Sequence, residues 1–317
     1  MIPANISRMI LRKKRGTRTI AVAVAVVMGA LGLAGCAPAT TTSGAINVVG
    51  AEVQYGDVLT QIGGAYVHVT SLMSNPNTDP HNFGATPSVA RAVAQAALIV
   101  QNGAGYDSFM DPLEAASANP SRVVISVASL RHQSTAANPH FWYDPTTMPA
   151  VAAVVTTDLA RLAPRHATYF RAREATFVRA WRGVTSALDA ARREFTGRRV
   201  ATTEPVGDYL LSAMGLVIAT PFRFQADVMN GIDPSPQDIA AQQHLLNSHQ
   251  VAALCYNAQV TSPVTQSMVN LAIRAHVALV AIYETMPRGL HVQTWMLAEI
   301  SAVSDALARG VSTRTIS

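Results

Sequence analysis

The sequence predicts an α/β protein of two lobes, each with a mostly parallel sheet flanked by helices, joined by one long backbone helix. Short apolar strands alternate with helices before residue 130 and again after Gly197, which is typical of parallel sheets covered by helices. Between these regions, roughly thirty residues from Arg165 onward keep helical periodicity without a strand signal. The 282 residues from Cys36 onward also suit two domains better than one.

The first lobe is expected over residues 46–164. Helix signals are clear here, because Thr86 is a good N-cap and Pro87 suits the first helical position of a helix that continues through Ala97. A shorter helix is predicted at Gly56–Gly63. The apolar runs predict strands at Ile46–Ala51, Val67–Leu72, Leu98–Val100 and Val123–Val127.

The long helix is expected over residues 165–196, where it would extend roughly 45 Å at 1.5 Å per residue. That is about the width of a domain and would connect the two lobes rigidly. Its predicted apolar stripe consists of Tyr169, Phe170, Phe177, Val178, Trp181, Val184 and Leu188.

The second lobe is expected over residues 197–317. Helices are predicted at Pro205–Met214 and from Ser235 onward, where Ser235 precedes Pro236. The predicted strands are Val200–Thr203, Val251–Tyr256 and Val277–Tyr283.

Residues 1–35 have the pattern of a secretory signal, with basic residues followed by an apolar run from Ile20 to Leu33. The tetrapeptide Leu33–Cys36 resembles a bacterial lipobox, in which the cysteine is acylated, for example with palmitate, and becomes the mature N-terminus. The alternative is a transmembrane anchor, but the apolar run is only about fourteen residues, against the ~20 needed to span a bilayer. Residues 36–45 would form a tether, and the protein would work outside the cytoplasm.

Removal of this leader changes the charge of the protein. The whole chain has 24 basic and 19 acidic residues and a formal net charge of +5. Six of the basic residues and none of the acidic ones lie in the leader, so the mature chain is nearly neutral. The basic isoelectric point therefore gives no reason to expect nucleic-acid binding. Acylation of Cys36 would leave Cys255, in a predicted buried strand, without a disulfide partner.

One motif occurs twice in the first lobe. The segments Asp79–Phe83 and Asn138–Trp142 each contain an acid or amide, a Pro-His pair and then an aromatic residue. Proline fixes the backbone and donates no hydrogen bond, so His81 and His140 should lie in loops of restricted shape. Two such histidines near strand ends are moderately specific for paired imidazole metal ligands.

The second lobe has carboxylates in comparable places. Glu204 follows the strand at Val200–Thr203, and Glu284 follows the strand at Val277–Tyr283. Ligands of open parallel sheets collect in the crevice beyond the carboxyl ends of the strands. Two histidines from one lobe and two carboxylates from the other would form a metal clamp across this cleft.

Each of these residues also has an ordinary interpretation. A histidine in a loop is often a surface residue, Glu204 would suit a helix N-terminus, and Glu284 could be an exposed loop acid. His132 and His291 could help to deliver a metal ion, although solvent-facing loop residues need no such role. The turn Gly103–Gly105 lacks the third glycine of a dinucleotide-binding fingerprint.

Five segments together point to a known family: Asp79–His81, Asn102–Asp107, Asn138–Pro145, Thr203–Pro205 with Tyr209, and Tyr283–Pro287. With them, the chain from Ile46 to Leu307 resembles the metal-binding lipoproteins that serve bacterial ABC transporters for zinc and manganese. The resemblance implies two pseudo-symmetric α/β lobes, a long helix between them and one buried metal site in the cleft.

The resemblance also assigns the metal ligands. His81 and His140 match the two imidazole ligands of the first lobe, and Glu204 matches a third ligand that is histidine or glutamate among members. Glu284 occupies a position where the family usually has aspartate. The chain lacks the histidine- and acid-rich loop that many dedicated zinc binders carry between the first two histidines.

The function implied is that of a receptor anchored by lipid to the extracytoplasmic face of the cell membrane. It would capture one divalent transition metal ion, Zn²⁺ or Mn²⁺, and pass it to an ABC permease and its ATPase. We expect a monomer that is neither an enzyme nor a nucleic-acid binder. Two rival interpretations are a metal-dependent hydrolase, which would need an open coordination position and a general base, and a surface adhesin.

Overall fold

The structure is a computed structural model that describes residues 44–75 and 83–316. The predicted signal segment, Cys36 and most of the predicted tether lie outside the described residues, as does His81.

The first lobe contains a sheet of four parallel strands. The strands are β1 (Ile46–Glu52), β2 (Val67–Met73), β3 (Leu98–Gln101) and β4 (Val123–Ser126). Their order in the sheet is β2-β1-β3-β4, so the first strand in the chain is internal. Both β1 and β3 are mostly apolar and mostly buried, as expected for strands covered on both faces.

The second lobe repeats this arrangement. Its strands are β5 (Arg199–Thr202), β6 (Val217–Ile218), β7 (Ala253–Asn257) and β8 (Ala278–Ile282). They are parallel and follow the order β6-β5-β7-β8, which places β7 between β5 and β8. Two parallel sheets with flanking helices and a long connecting helix confirm the predicted fold class.

Helices cover the sheets of both lobes. In the first half of the chain they are α1 (Val53–Gly63), α2 (Pro87–Gln95), α3 (Met110–Ala116), α4 (Val127–Leu130), α5 (Thr147–Leu162) and α6 (Ala167–Phe195). The second half adds α7 (Asp208–Ala213), α8 (Phe222–Met229), α9 (Pro236–Asn247), α10 (Pro263–Arg274) and α11 (Val292–Arg309). None of the helices in the described part of the chain has the length and apolar character needed to cross a bilayer.

Local capping chemistry sets several helix starts. The hydroxyl of Thr86 accepts a hydrogen bond from the Val89 amide, and Pro87 occupies the first helical position, as the sequence predicts. The predicted start at Ser235 is also found, since its hydroxyl accepts from the Asp238 amide. A second Ser-Pro start, at Ser262, opens α10 with a reciprocal capping box.

Helix α6 is the long connecting helix, with 29 residues and a length of about 44 Å. Most of the predicted apolar stripe is buried, including Phe170, Phe177 and Trp181, and the Trp181 indole donates to the Pro145 carbonyl at 2.9 Å. These side chains belong to one continuous core that also contains Val48 of the first sheet and apolar residues of the second sheet and α11.

Two predicted helix starts are wrong. Helix α1 begins at Val53, a turn before the predicted Gly56. Helix α7 begins at Asp208 and not at Pro205, because the Pro205 carbonyl accepts the Asp208 amide in a turn and also accepts a side-chain amide from the other lobe.

A carboxylate of the first lobe caps a helix of the second. Asp57, on α1, accepts the backbone N–H of Val292 at 2.9 Å and contacts the imidazole Nδ1 of His291 at 2.7 Å, at the start of α11. Beside it, the amides of Gln61 and Gln293 bond each other reciprocally at 3.0 Å. Asp57 therefore stabilises both the helix start and the junction between the lobes.

Replacing Asp57 by alanine should lower the free energy of unfolding by about 1–3 kcal/mol, because the Val292 amide loses its buried acceptor. Asp57→Asn keeps an acceptor oxygen and should lose less. Denaturant unfolding followed by circular dichroism measures both. Asp305→Ala, which removes an exposed ion pair with Arg309 on the same helix, is the control. An Asp57→Ala midpoint equal to that of the parent would contradict the capping role.

Candidate metal centre

Three polar residues of the second lobe meet where neighbouring strands end. Glu204 lies two residues beyond β5, Asn257 is the last residue of β7, and Glu284 lies two residues beyond β8. Because β7 lies between the other two strands, Asn257 lies between the two carboxylates. All three are buried, and Glu284 is fully inaccessible to solvent.

His140 reaches this place from the first lobe. It precedes a short 3₁₀ turn at Phe141–Tyr143 and is fully buried. Its Nε2 lies 3.0 Å from Oε1 of Glu284, so the predicted imidazole and one predicted carboxylate are in direct contact across the cleft.

Asn138 determines which ring nitrogen of His140 carries a proton. The Asn138 amide nitrogen donates to the Pro205 carbonyl at 2.7 Å, so its oxygen faces His140 and lies 2.7 Å from Nδ1. Nδ1 is therefore the donor, and the lone pair of a neutral imidazole is on Nε2. A hydrogen bond from the second ring nitrogen is how proteins orient histidines that bind metal.

The contact between His140 and Glu284 requires a positive charge. A neutral imidazole with its lone pair on Nε2 and a carboxylate oxygen are both acceptors, and two acceptors at 3.0 Å repel each other unless a proton or a cation lies between them. Two atoms that ligate one zinc ion tetrahedrally, each about 2.0 Å from it, lie about 3.3 Å apart. The observed separation is close to that of two ligands of one metal ion.

Glu204 connects to this pair through Asn257. The amide nitrogen of Asn257 lies 2.9 Å from Oε2 of Glu284 and 3.4 Å from Oε2 of Glu204. In the described part of the chain, no three His, Cys, Asp or Glu side chains converge closely enough to hold a metal ion by themselves. The described centre is thus one imidazole–carboxylate pair with a second carboxylate joined to it by an amide.

The backbone at Glu284 is fixed by neighbouring side chains. The Gln259 side-chain oxygen accepts the amides of Glu284 and Thr285 at 2.6 and 2.7 Å. The Tyr283 carbonyl accepts the Tyr143 hydroxyl from the first lobe at 2.6 Å. These contacts fix the main chain on both sides of Glu284 and hold its carboxylate in position.

A buried carboxyl lies directly behind this strand end. Oε1 of Glu299, on α11, accepts hydrogen bonds from the Trp295 indole and the Tyr283 amide, and it shares the single hydrogen of the Tyr143 hydroxyl with the Tyr283 carbonyl. Burial raises the pKa of Glu299 to about 8, and the three donors only partly oppose that effect.

Tyr106 of the first lobe places its phenol beside the candidate metal centre. Tyr106 bonds the Glu284 carboxylate, and its ring meets the ring of His140 edge-on at 5.6 Å between centroids. Desolvation, followed by the charges of Glu284 and Glu52, raises the pKa of the Tyr106 phenol well above its usual value. The hydroxyl therefore stays protonated and donates.

The turn at Gly103–Gly105 supports His140 from behind. All three of its residues have positive φ, and the Asp107 carboxylate accepts the backbone amides of Asn102 and Gly103 at 2.6 and 2.8 Å. Asn102 in turn donates to the Pro139 carbonyl at 2.9 Å. The turn is therefore structural, as expected, and it fixes the peptide that leads into His140.

Three further residues were predicted as ligands or helpers of the site. His81 lies outside the described residues. His132 is exposed in a turn, and the mostly exposed His291 contacts Asp57 at the start of α11. Sequence reasoning did not identify Asn138, Asn257 or Gln259 as site residues. The position of Asn257 and Asn138 in the sequence could have indicated a role in the site, since Asn257 ends a strand and Asn138 precedes the Pro-His pair.

Comparison with known proteins then places the chain in a family. A family model described as ZnuA, the periplasmic component A of zinc-uptake complexes, matches residues 48–304. The chain belongs to this family. The ZnuA family consists of periplasmic metal-binding components of ABC importers, which agrees with the resemblance drawn from the sequence. No curated protein matches the chain significantly.

Solved structures show the same fold. A periplasmic zinc-binding protein, TroA from Treponema pallidum, superposes with a TM-score of 0.70 at 17% identity, covering 85% of this chain and 100% of its own. A crystal structure of ZnuA gives 0.68 at 19% identity, with 83% and 100% coverage. FpvC from Pseudomonas aeruginosa, in complex with Ni²⁺, gives 0.67 at 18% identity, with 85% and 99% coverage. At these identities the likeness concerns the fold.

The buried Glu299 carboxyl should make stability depend on pH. Its pKa of about 8 in the folded protein exceeds the ordinary value of 4.5, so its contribution is fully present below that ordinary value and is lost as the pH rises toward 8. Glu299→Gln keeps the acceptor oxygen but cannot ionise. As the pH increases from 5 to 8, the free energy of unfolding of Glu299→Gln should therefore rise relative to that of the parent, by up to about 1.4 kcal/mol for each pH unit.

Urea unfolding at several pH values measures this difference, with the exposed Glu194→Gln as the control. If the parent and Glu299→Gln keep the same difference in stability at every pH, the predicted ionisation of Glu299 is wrong.

Proposed function

We propose that the protein is a lipid-anchored, extracytoplasmic receptor that captures a divalent transition metal ion between its two lobes and delivers it to the permease and ATPase of an ABC importer. The observation that carries the proposal is the buried contact between His140 Nε2 and Glu284 Oε1 across the cleft of a ZnuA-family chain. This contact brings together the nitrogen and oxygen donors that zinc and manganese accept.

In the proposed site, His140, Glu204 and Glu284 are ligands, and His81, assigned by sequence alone, is the fourth. Two carboxylates would neutralise the charge of a divalent ion in a dry cleft. The ion, Zn²⁺ or Mn²⁺, is cargo and not a resident cofactor. Among proteins of the same fold, TroA is described as zinc-binding, and FpvC is solved with Ni²⁺ and with Mn²⁺.

The remaining parts of the proposal rest on the sequence. The leader through Gly35 would direct export, Cys36 would carry the lipid, and residues 36–45 would tether a lobe at 46–164, the linking helix and a lobe at 197–317. The receptor would act as a monomer that binds no nucleic acid and catalyses no reaction.

The metal site is tested by removing its ligands. Calorimetry and elemental analysis of the chain from Ala37 onward should show one bound Zn²⁺ or Mn²⁺ per chain. His140→Ala and Glu284→Ala should each weaken binding by 100-fold or more, on the order of 3 kcal/mol, because each removes a ligand and leaves its partner buried. His81→Ala should do the same.

His249→Ala, at an exposed turn histidine, is the matched control and should bind like the parent protein. Unchanged binding in both the His140→Ala and Glu284→Ala variants would show that the site is elsewhere.

The lipid anchor is tested at the two cysteines. The full chain, produced in a bacterium that processes lipoproteins, should fractionate with membranes and incorporate labelled palmitate. Cys36→Ala should lose the label, whereas Cys255→Ala should keep it, because Cys255 is buried in β7. A labelled Cys36→Ala variant would contradict the proposed anchor.

A further inference from the structure

Asn257 contacts both carboxylates of the proposed metal site. Its amide nitrogen has two hydrogens, and it lies 2.9 Å from Glu284 Oε2 and 3.4 Å from Glu204 Oε2, the second contact being long and weak. Asn257 reaches both carboxylates because it ends the strand that lies between the two strands leading to them. The side chain is 4% exposed, so water does not compete for these contacts.

The orientation of the Asn257 amide is fixed by its own backbone neighbours. Its side-chain oxygen accepts the amides of Gln259 at 2.9 Å and Val260 at 3.3 Å, which is a turn that asparagine commonly forms. The oxygen is therefore occupied, and the nitrogen is the atom that faces Glu204 and Glu284.

Besides its contact with Tyr106, the Glu284 carboxylate has two partners that face different oxygens. Oε2 receives the Asn257 amide, and Oε1 faces Nε2 of His140. A metal ion held by His140 then meets Oε1, while Oε2 is directed toward the amide. Asn257 also contacts Oε2 of Glu204, more weakly, at 3.4 Å.

We propose that Asn257 is a specificity-determining residue, which limits Glu204 and Glu284 to one ligating oxygen each and so favours zinc over manganese. The inference rests on the proposed function and adds to it a preference between the two metals.

Zinc and manganese differ in the number of oxygen ligands that they prefer. Zinc is stable with about four ligands in a tetrahedron, including nitrogen ligands, whereas manganese favours octahedral surroundings rich in oxygen. A carboxylate that binds through both oxygens adds one ligand, and two such carboxylates add two. By holding Oε2 of each carboxylate, Asn257 withholds the additional oxygens that manganese would use, whichever other ligands complete the site.

The test compares the affinities of the full chain, purified in detergent, for ZnCl₂ and MnCl₂ by competition calorimetry. Asn257→Asp keeps the acceptor for the turn but replaces the donor by an oxygen, and Asn257→Ser keeps a smaller acceptor that does not bridge the carboxylates. The ratio of zinc to manganese affinity should fall about 10-fold or more in both variants. The ratio is informative because the added charge in Asn257→Asp strengthens the binding of both ions.

X-ray absorption at the zinc edge provides an independent measurement. The parent should show about four ligands, and the variants should show more, because the freed carboxylates bind through both oxygens. Asn230→Ser is the matched control, since among the described residues the Asn230 amide donates only to a helix carbonyl at the surface, and its affinity ratio should not change.

The outcomes distinguish a failure of the proposed function from a failure of the proposed role of Asn257. If the parent binds neither ion, the proposed function fails and this inference fails with it. If the parent binds both ions and neither the ratio nor the zinc ligand number changes in the folded variants, only the role of Asn257 is overturned. If Asn257→Ser loses its turn and does not fold, the measurements on Asn257→Asp decide whether Asn257 determines the metal preference.

Discussion

The contact between His140 and Glu284 is the constraint on which the rest of the site depends. Two acceptor atoms, Nε2 of one lobe and Oε1 of the other, are held 3.0 Å apart where no solvent reaches them. In water such groups would separate and hydrate, but in a closed cleft they are stable only with a proton or a metal ion between them. The surrounding hydrogen bonds fix the His140 ring on one side of this contact and the Glu284 main chain on the other.

That support comes from main-chain atoms as much as from side chains. The Asn102 amide holds the Pro139 carbonyl ahead of His140, while Asn138 joins the His140 ring to the peptide after Glu204. Gln259 fixes the amide of Glu284 itself. His140 and Glu284 are therefore positioned through the main chain around them, which gives a binding site greater precision than flexible side chains alone would provide.

The sequence predicted what local chemistry determines and missed what the order of strands determines. Buried strands such as β3 and helix starts such as Thr86 follow from residue type and spacing, and both were predicted correctly. His140 and Glu284 were found because ligands collect beyond strand ends, and the structure brings these two together. Asn257 was missed because its role depends on β7 lying between β5 and β8, which no local pattern reveals. The start of α7 was misplaced for a related reason, since the Pro205 carbonyl is taken by an amide of the other lobe.

The continuous core around α6 has a consequence for how the molecule loses its structure. Apolar side chains of both sheets, α6 and α11 pack into one cluster, so the melting of one lobe would expose much of the core of the other, although each lobe also has a smaller cluster of its own. Unfolding should then proceed as a single cooperative transition, without a half-folded species in which one lobe persists. An ion bound between the lobes would consequently leave through a rearrangement of packed surfaces and not through the melting of one side. Its retention time would depend on the mechanical stiffness of the connecting helix as well as on the strength of the ligand bonds.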